Sequence, residues 1–254
     1  MSKKILLSLC ALMLVFTMTG LAGAETYVVG VENISYYPYY TINEDGNYDG
    51  YAREVLDLFA EEKGYTFEYR DLPLNRLFSN LVEQKIDFKF PDNPYWSADL
   101  KEGKDVVYSD SVVKFVDGAM VIPENVGKSI EEVKRLGKIM GFTPWPFLDL
   151  IESGEIKEIE TPNYEALLMQ AVRGRVDVAY TNIAVGNYQL KEVLDDPDAL
   201  VFDENLPYDE SSYLLSTAKH PELIEEFNQF LQENSETIEE LKEKYNVGGL
   251  EKII

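Results

Sequence analysis

Apolar and polar positions follow two rhythms along the chain, and the switches between them mark out its elements. Thr26–Val31 is a short β-rich run, TYVVGV. From Gly50 to Lys63 the spacing becomes helical: Tyr51, Val55, Leu58 and Phe59 share a face, and Gly64 is placed to close the helix. Tyr65–Tyr69 reads as a strand, Leu74, Leu77, Phe78, Leu81 and Val82 form a second amphipathic stripe, and Ile86–Phe90 reads as the next strand. The order β-α-β-α-β predicts a parallel sheet covered by helices, an α/β fold.

The second half repeats this rhythm. Gly118–Ile122 predicts a strand. Ser129 and Glu132 have capping-box spacing and predict a helix to about Arg135. Lys138–Gly141 predicts a strand, and Thr143-Pro144 predicts a helix with Thr143 as N-cap and Pro144 in the first helical position. Asn163 caps a helix through Leu167, Leu168, Ala171 and Val172, closed by Gly174, and Val176–Tyr180 follows as a strand. Pro221 opens a helix carrying Leu223, Phe227, Phe230 and Leu231, and Ser235 opens another with Ile238, Leu241 and Tyr245. There is no internal repeat and no Pro/Gly/Ser-rich linker, so two domains would share a short hinge and not a tether.

The first 24 residues stand outside this pattern. A basic start, Lys3-Lys4, leads into the apolar run Ile5–Leu14, and Ala22-Gly23-Ala24 puts small residues before Glu25. This is the signature of a cleaved secretory signal peptide over residues 1–24. The apolar run is short for a membrane span of about 20 residues, so no stable membrane insertion is expected.

Composition narrows the function. Acidic residues number 46 against 23 basic, a formal net charge of −23. That excess argues against nucleic acid and anionic membrane surfaces as partners. The one cysteine, Cys10, leaves with the leader, which removes disulfides, thiol nucleophiles and thiolate metal sites from the exported chain. The single histidine, His220, sits in Lys219-His220-Pro221, the surface start of a helix, and a metal site is not expected. Gly127-Lys128-Ser129 ends like a phosphate-binding loop, but Ile122 stands where its first glycine is required. Asp195-Asp196-Pro197-Asp198 lacks calcium-loop spacing and reads as a solvated turn.

The order of motifs resembles a known family. Tyr36-Tyr37-Pro38-Tyr39 follows the first strand, and Asp45-Gly46-x-x-x-Gly50-Tyr51 leads into the first helix. Gln84-Lys85-Ile86-Asp87 ends the second helix, and Val107-Tyr108-Ser109-Asp110 precedes the crossover. Gly174-Arg175-Val176-Asp177 and Lys219-His220-Pro221-Glu222-Leu223 complete the series. Over nearly all of Glu25–Ile254 the chain resembles the type II periplasmic solute-binding proteins, specifically the polar amino acid-binding family 3 of bacterial extracellular solute-binding proteins. The resemblance implies a two-lobe periplasmic binding protein type II fold with a ligand cleft between lobes joined by two hinge strands. Lobe 1 would be 25–114 plus 209–254 and lobe 2 would be 115–208. It implies a monomer in the periplasm or extracytoplasmic space, with no cofactor, that binds a small-molecule solute and presents it to the permease of an ABC importer. A sensory subunit docking to a kinase or chemoreceptor is the alternative, and a dehydratase-like enzyme a more distant one.

The chain departs from the family where charge is read. The family's ligand-carboxylate arginine lies in a Thr-x-x-Arg segment. The corresponding stretch, Pro91–Val107, has no arginine, and Lys101 and Lys104 are its only cations. The family's amino-group aspartate aligns with Asn182. Both departures make an ordinary α-amino acid a doubtful ligand and favour a neutral or cationic one. The resemblance places Tyr36 and Tyr39 on an aromatic wall, against core packing as the alternative. It places Asp92, Asn93, Tyr95 and Trp96 in the ligand loop, against a turn set by Pro91 and Pro94. Thr143 and Trp145 would sit at a helix N-terminus able to hold an anion, against a plain N-cap for Thr143. Asn182 would read an amide or hydroxyl, or else cap a helix. Arg76 lies near the cleft edge or on a solvated helix face.

Overall fold

The structure, a computed structural model, describes residues 24–253. The leader expected over residues 1–24 lies, apart from Ala24, outside the described residues.

Strand β1 (Thr26–Glu32) pairs in parallel with β2 (Thr66–Leu72) on one side and β3 (Phe88–Asp92) on the other. Helix α1 (Tyr51–Lys63) crosses from β1 to β2, and α2 (Leu74–Val82) from β2 to β3. The α1 stripe buries Tyr51, Val55, Leu56 and Phe59. The helix stops at Gly64, whose left-handed backbone (φ 73°) lets its N–H reach the Ala60 and Glu61 carbonyls. Ile86 is buried with Leu77 and Leu81, ahead of the strand and not in it, so β3 starts later than its apolar run.

A second group of strands holds β4 (Val113–Val121), β5 (Arg135–Ile139), β6 (Lys157–Thr161) and β7 (Val178–Asn182). β5 pairs in parallel with β6 and β7, and β7 runs antiparallel to β4. Strand β8 (Asp209–Thr217) belongs to both groups. Its first half, Asp209–Tyr213, pairs with Val113–Asp117 of β4, and its second half reaches β3 through Leu214 and Ser216. The sheet path is therefore β2-β1-β3-β8-β4-β7-β5-β6, a curled mixed sheet. The helices α3 (Leu148–Glu152), α4 (Tyr164–Val172), α5 (Ile183–Tyr188), α6 (Pro221–Glu233) and α7 (Ser235–Tyr245) complete the layers that matter here.

Three elements differ from the sequence pattern for tertiary reasons. The helix expected from Ser129 is a single 3-10 turn, Ile130–Glu132. The Asp177 carboxylate accepts the Lys134 and Arg135 N–H groups at 2.9 and 2.8 Å, and β6 pairs with Arg135, which draws the chain into β5. Pro144 is not helical (φ −81°, ψ 71°), so a 3-10 turn Trp145–Phe147 precedes α3 and Thr143 makes no side-chain cap. Strand β6 reads KEIET and was hidden by its charges; as an edge strand it needs no alternation, and Lys138 pairs with Glu158 and Glu160 across it.

Candidate functional site

The carboxyl ends of β1, β3 and β5 open onto one cleft of about 650 Å³, which the β4–β8 ladder floors. Ligands of open α/β sheets bind at this end of the strands, and the volume suits a small solute. Glu32, Tyr36 and Tyr40 follow from β1; Asn93, Tyr95 and Trp96 from β3; Phe142, Thr143 and Trp145 from β5. Phe115 and Asp117 come from β4, Tyr180 from β7, and Asp209, Ser211 and Tyr213 from β8. Of nineteen lining residues ten are aromatic, three carry carboxylates and none is lysine or arginine.

Local chemistry explains each wall. The Tyr36–Tyr40 turn is closed by the Tyr36 N–H donating to the Tyr40 carbonyl at 3.0 Å, and the two rings stack at 5.1 Å. The Tyr213 hydroxyl donates to that of Tyr36 at 3.1 Å, and its ring stacks on Phe115 at 4.3 Å. Asn93 donates to Ser211 Oγ and to the Ser212 carbonyl, both at 3.2 Å, tying the β3 loop to β8. Trp145 is 55% exposed, although it faces the cleft.

Tyr36, Asn93, Trp96, Thr143 and Trp145 meet on the cleft surface. Tyr39, Asp92 and Asn182 lie behind it. Tyr39 is fully buried, packed edge-on against Tyr213. Asn182 is the N-cap of α5: its Oδ1 accepts the Val185 N–H at 3.1 Å, while its amide donates to Asp117 at 3.1 Å. Asp92 accepts from Ser216 at 2.6 Å and from Lys101 at 3.2 Å, with Lys89 at 3.5 Å. Lys101 also donates to the Asn93 carbonyl at 2.6 Å, and burial depresses its ammonium below the usual lysine value. Arg76 is exposed on α2, off the cleft wall. Near Thr143 the backbone offers little to an anion. The Trp145 N–H donates to Thr143, the Phe147 N–H donates to Pro144, and Pro144 and Pro146 have no N–H.

Asp117, Glu32, Asp209 and Tyr213 were not singled out by sequence. Asp117 is a lone acid within the apolar run of β4, and that isolation was the available signal. It lines the cleft, and the surrounding protein strips enough water to push its carboxyl up to about 7, against the lowering bond from Asn182. Glu32 is also raised by burial, offset by Lys89 and by the Tyr40 hydroxyl donating at 2.7 Å.

An interlobe cleft at the crossover of a curled sheet, aromatic and carboxylate-lined, defines the class of two-lobe solute receptors. Residues 27–248 match the bacterial extracellular solute-binding proteins, family 3, and the chain belongs to that family. A histidine kinase sensor domain with similarity to periplasmic binding proteins superposes with a TM-score of 0.70 at 21% identity, covering 89% of this chain and 98% of that one. An ancestral amino acid-binding protein, a precursor of cyclohexadienyl dehydratase, gives 0.65 at 22%, covering 87% and 95%. A Salmonella typhimurium periplasmic binding protein of high arginine specificity gives 0.63 at 17%, covering 87% and 99%. A search of the curated proteins found no match to this chain.

Proposed function

We propose that the protein captures a small polar or amine-bearing solute outside the cytoplasm and hands it to an ABC importer, with no chemistry of its own. The observation that carries this reading is the cleft itself: aromatic walls with three carboxylates and no lysine or arginine. Each cation–π contact adds about 0.5–2 kcal/mol. In this reading Tyr36, Asn93, Trp96, Thr143 and Trp145 touch the ligand, and Tyr39, Asp92 and Asn182 hold the wall from behind. Lobe 1 is 25–114 plus 209–254, lobe 2 is 115–208, residues 1–24 direct export, and the receptor works as a monomer. No helix among the described residues is long and apolar enough to cross a membrane.

A thermal-shift screen of the purified protein tests it, with amino acids, amines, betaines, sugars, nucleosides and aromatic acids. A solute at 100 times its Kd adds roughly 2.7 kcal/mol of stability. Silence over the whole library would sink the reading. Recovery of the hit unchanged after long incubation separates a receptor from a dehydratase-like enzyme. The likeness to a kinase sensor domain favours a second reading, in which the same cleft serves signalling. Deleting the gene separates the two: lost uptake of the labelled hit supports import, and intact uptake with an altered transcriptional response supports sensing.

A further inference from the structure

Resting on the reading that the cleft binds a solute, we infer that this solute is an organic amine or guanidine without a carboxylate, paired with Asp117. Asp92, an internal counter-ion, satisfies the two lysines that could otherwise meet a ligand carboxylate.

The charges decide it. Glu32, Asp117 and Asp209 line the cleft, and Asp117 and Asp209 stand opposite each other in the β4–β8 register. A ligand carboxylate would have to sit among three acidic side chains, with no cation on the wall. The buried ammonium groups beside the wall are already engaged: Lys89 and Lys101 by Asp92 and by the Pro91 and Asn93 carbonyls, and Lys138 by Glu158, Glu160 and the Phe142 carbonyl. The Trp145 and Phe147 N–H groups are likewise occupied within their turn. A cation meets the opposite situation: three acids and an aromatic enclosure.

An independent observation points to a missing polar partner. Tyr180 lines the cleft and is 3% exposed, yet its hydroxyl meets no hydrogen-bond partner among the described residues. A buried hydroxyl left unpaired is costly. The hydroxyl is sealed, as are those of Tyr48 and Tyr164 away from the cleft wall, so an ammonium or guanidinium N–H beside Asp117 would pair with it only once that wall shifts on binding.

Calorimetry on the purified protein with matched pairs tests this: agmatine against arginine, cadaverine against lysine, histamine against histidine, tyramine against tyrosine. The expected result is at least one amine bound 100-fold more tightly than its parent amino acid. A parent amino acid bound as tightly as its amine, or a hit confined to neutral solutes, overturns the inference and leaves the solute-binding reading standing. Silence on the pairs and on the wider library overturns both.

Asp117→Asn keeps the Asn182 hydrogen bond and should weaken the bound amine at least tenfold, with folding checked by circular dichroism; unchanged affinity overturns the role of Asp117. Asp92→Asn should narrow the preference for the amine at least tenfold, and an unchanged preference overturns the counter-ion role. The wild-type pair comparison decides the ligand class even where a variant fails to fold.

Discussion

Asp117 couples the stability of the free protein to the chemistry of its cleft. Its carboxyl is raised to about 7 by burial, and Asp209 opposite adds to the rise. The fold therefore favours the protonated form. The resulting penalty is absent below about pH 4, the unfolded value for aspartate, grows as pH rises, and is complete above about 7. Removing the charge should help where the penalty is full. Asp117→Asn is expected to stabilise the fold at pH 8 by on the order of 1–3 kcal/mol after discounting for its opening to the cleft, seen as a higher melting temperature, and to change nothing at pH 4. Calorimetric melts of both proteins at the two pH values check this. Binding of a cation should respond with the opposite sense. Affinity should fall as pH drops below about 7, by up to about tenfold per unit. The neighbouring Tyr36, Tyr164, Tyr180 and Tyr213 hydroxyls are pushed up by burial and stay neutral throughout, so they do not obscure the profile. Asp92 plays a different part. Asp92→Ala would leave Lys89 and Lys101 buried without their partner and should cost about 3–5 kcal/mol, read from urea unfolding.

Element ends show which local signals hold the site. Gly50 precedes α1 with φ 106°, and a Cβ there would lie 2.9 Å from the Tyr40 Cα and 3.0 Å from the Tyr39 carbonyl oxygen. Those contacts are backbone and cannot swing aside. Gly50→Ala should cost about 2–3 kcal/mol and displace the turn that carries Tyr36 and Tyr40, so melting temperature and ligand affinity should fall together. Asn163 offers the contrast. Its Oδ1 accepts the Ala166 N–H at 2.8 Å at the start of α4. Asn163→Ala should cost about 1 kcal/mol and leave affinity unchanged in the same two measurements.

Across the whole molecule, the strand β8 links two groups of strands, and the cleft lies where they meet. Trp96 comes from the β3 loop and Trp145 from the segment after β5, and they are the only tryptophans in the chain. Closure around a ligand would bury both. Saturating ligand is expected to shift tryptophan emission to the blue and to reduce the radius of gyration in X-ray scattering. Trp145→Phe should lose part of the emission shift and keep the scattering change. An unchanged radius with a bound ligand would count against hinge closure.

Much of the fold was legible in the residues because its signals are local. The α2 stripe ends where expected at Val82, Gly64 stops α1, and Asn163 caps α4. Helical period and capping chemistry act within a few residues, so the sequence by itself determined these elements, their order and the family resemblance. It did not determine β6, whose charged edge follows no alternation, or the fate of Ser129, where pairing to distant strands overrides a sound cap. The cleft depended most on tertiary structure. Asp92 and Asn93 are neighbours in the chain, yet one is sealed against two lysines and the other reaches the cleft. Asn182 turns inward to cap α5 while Asp117, its hydrogen-bond partner, opens to the ligand space. Alternation along a strand assigns residues to two faces but does not say which face meets the cleft. That choice was made by β8, whose partner strands lie far away in the sequence and whose pairing sets Asp117 and Asp209 side by side.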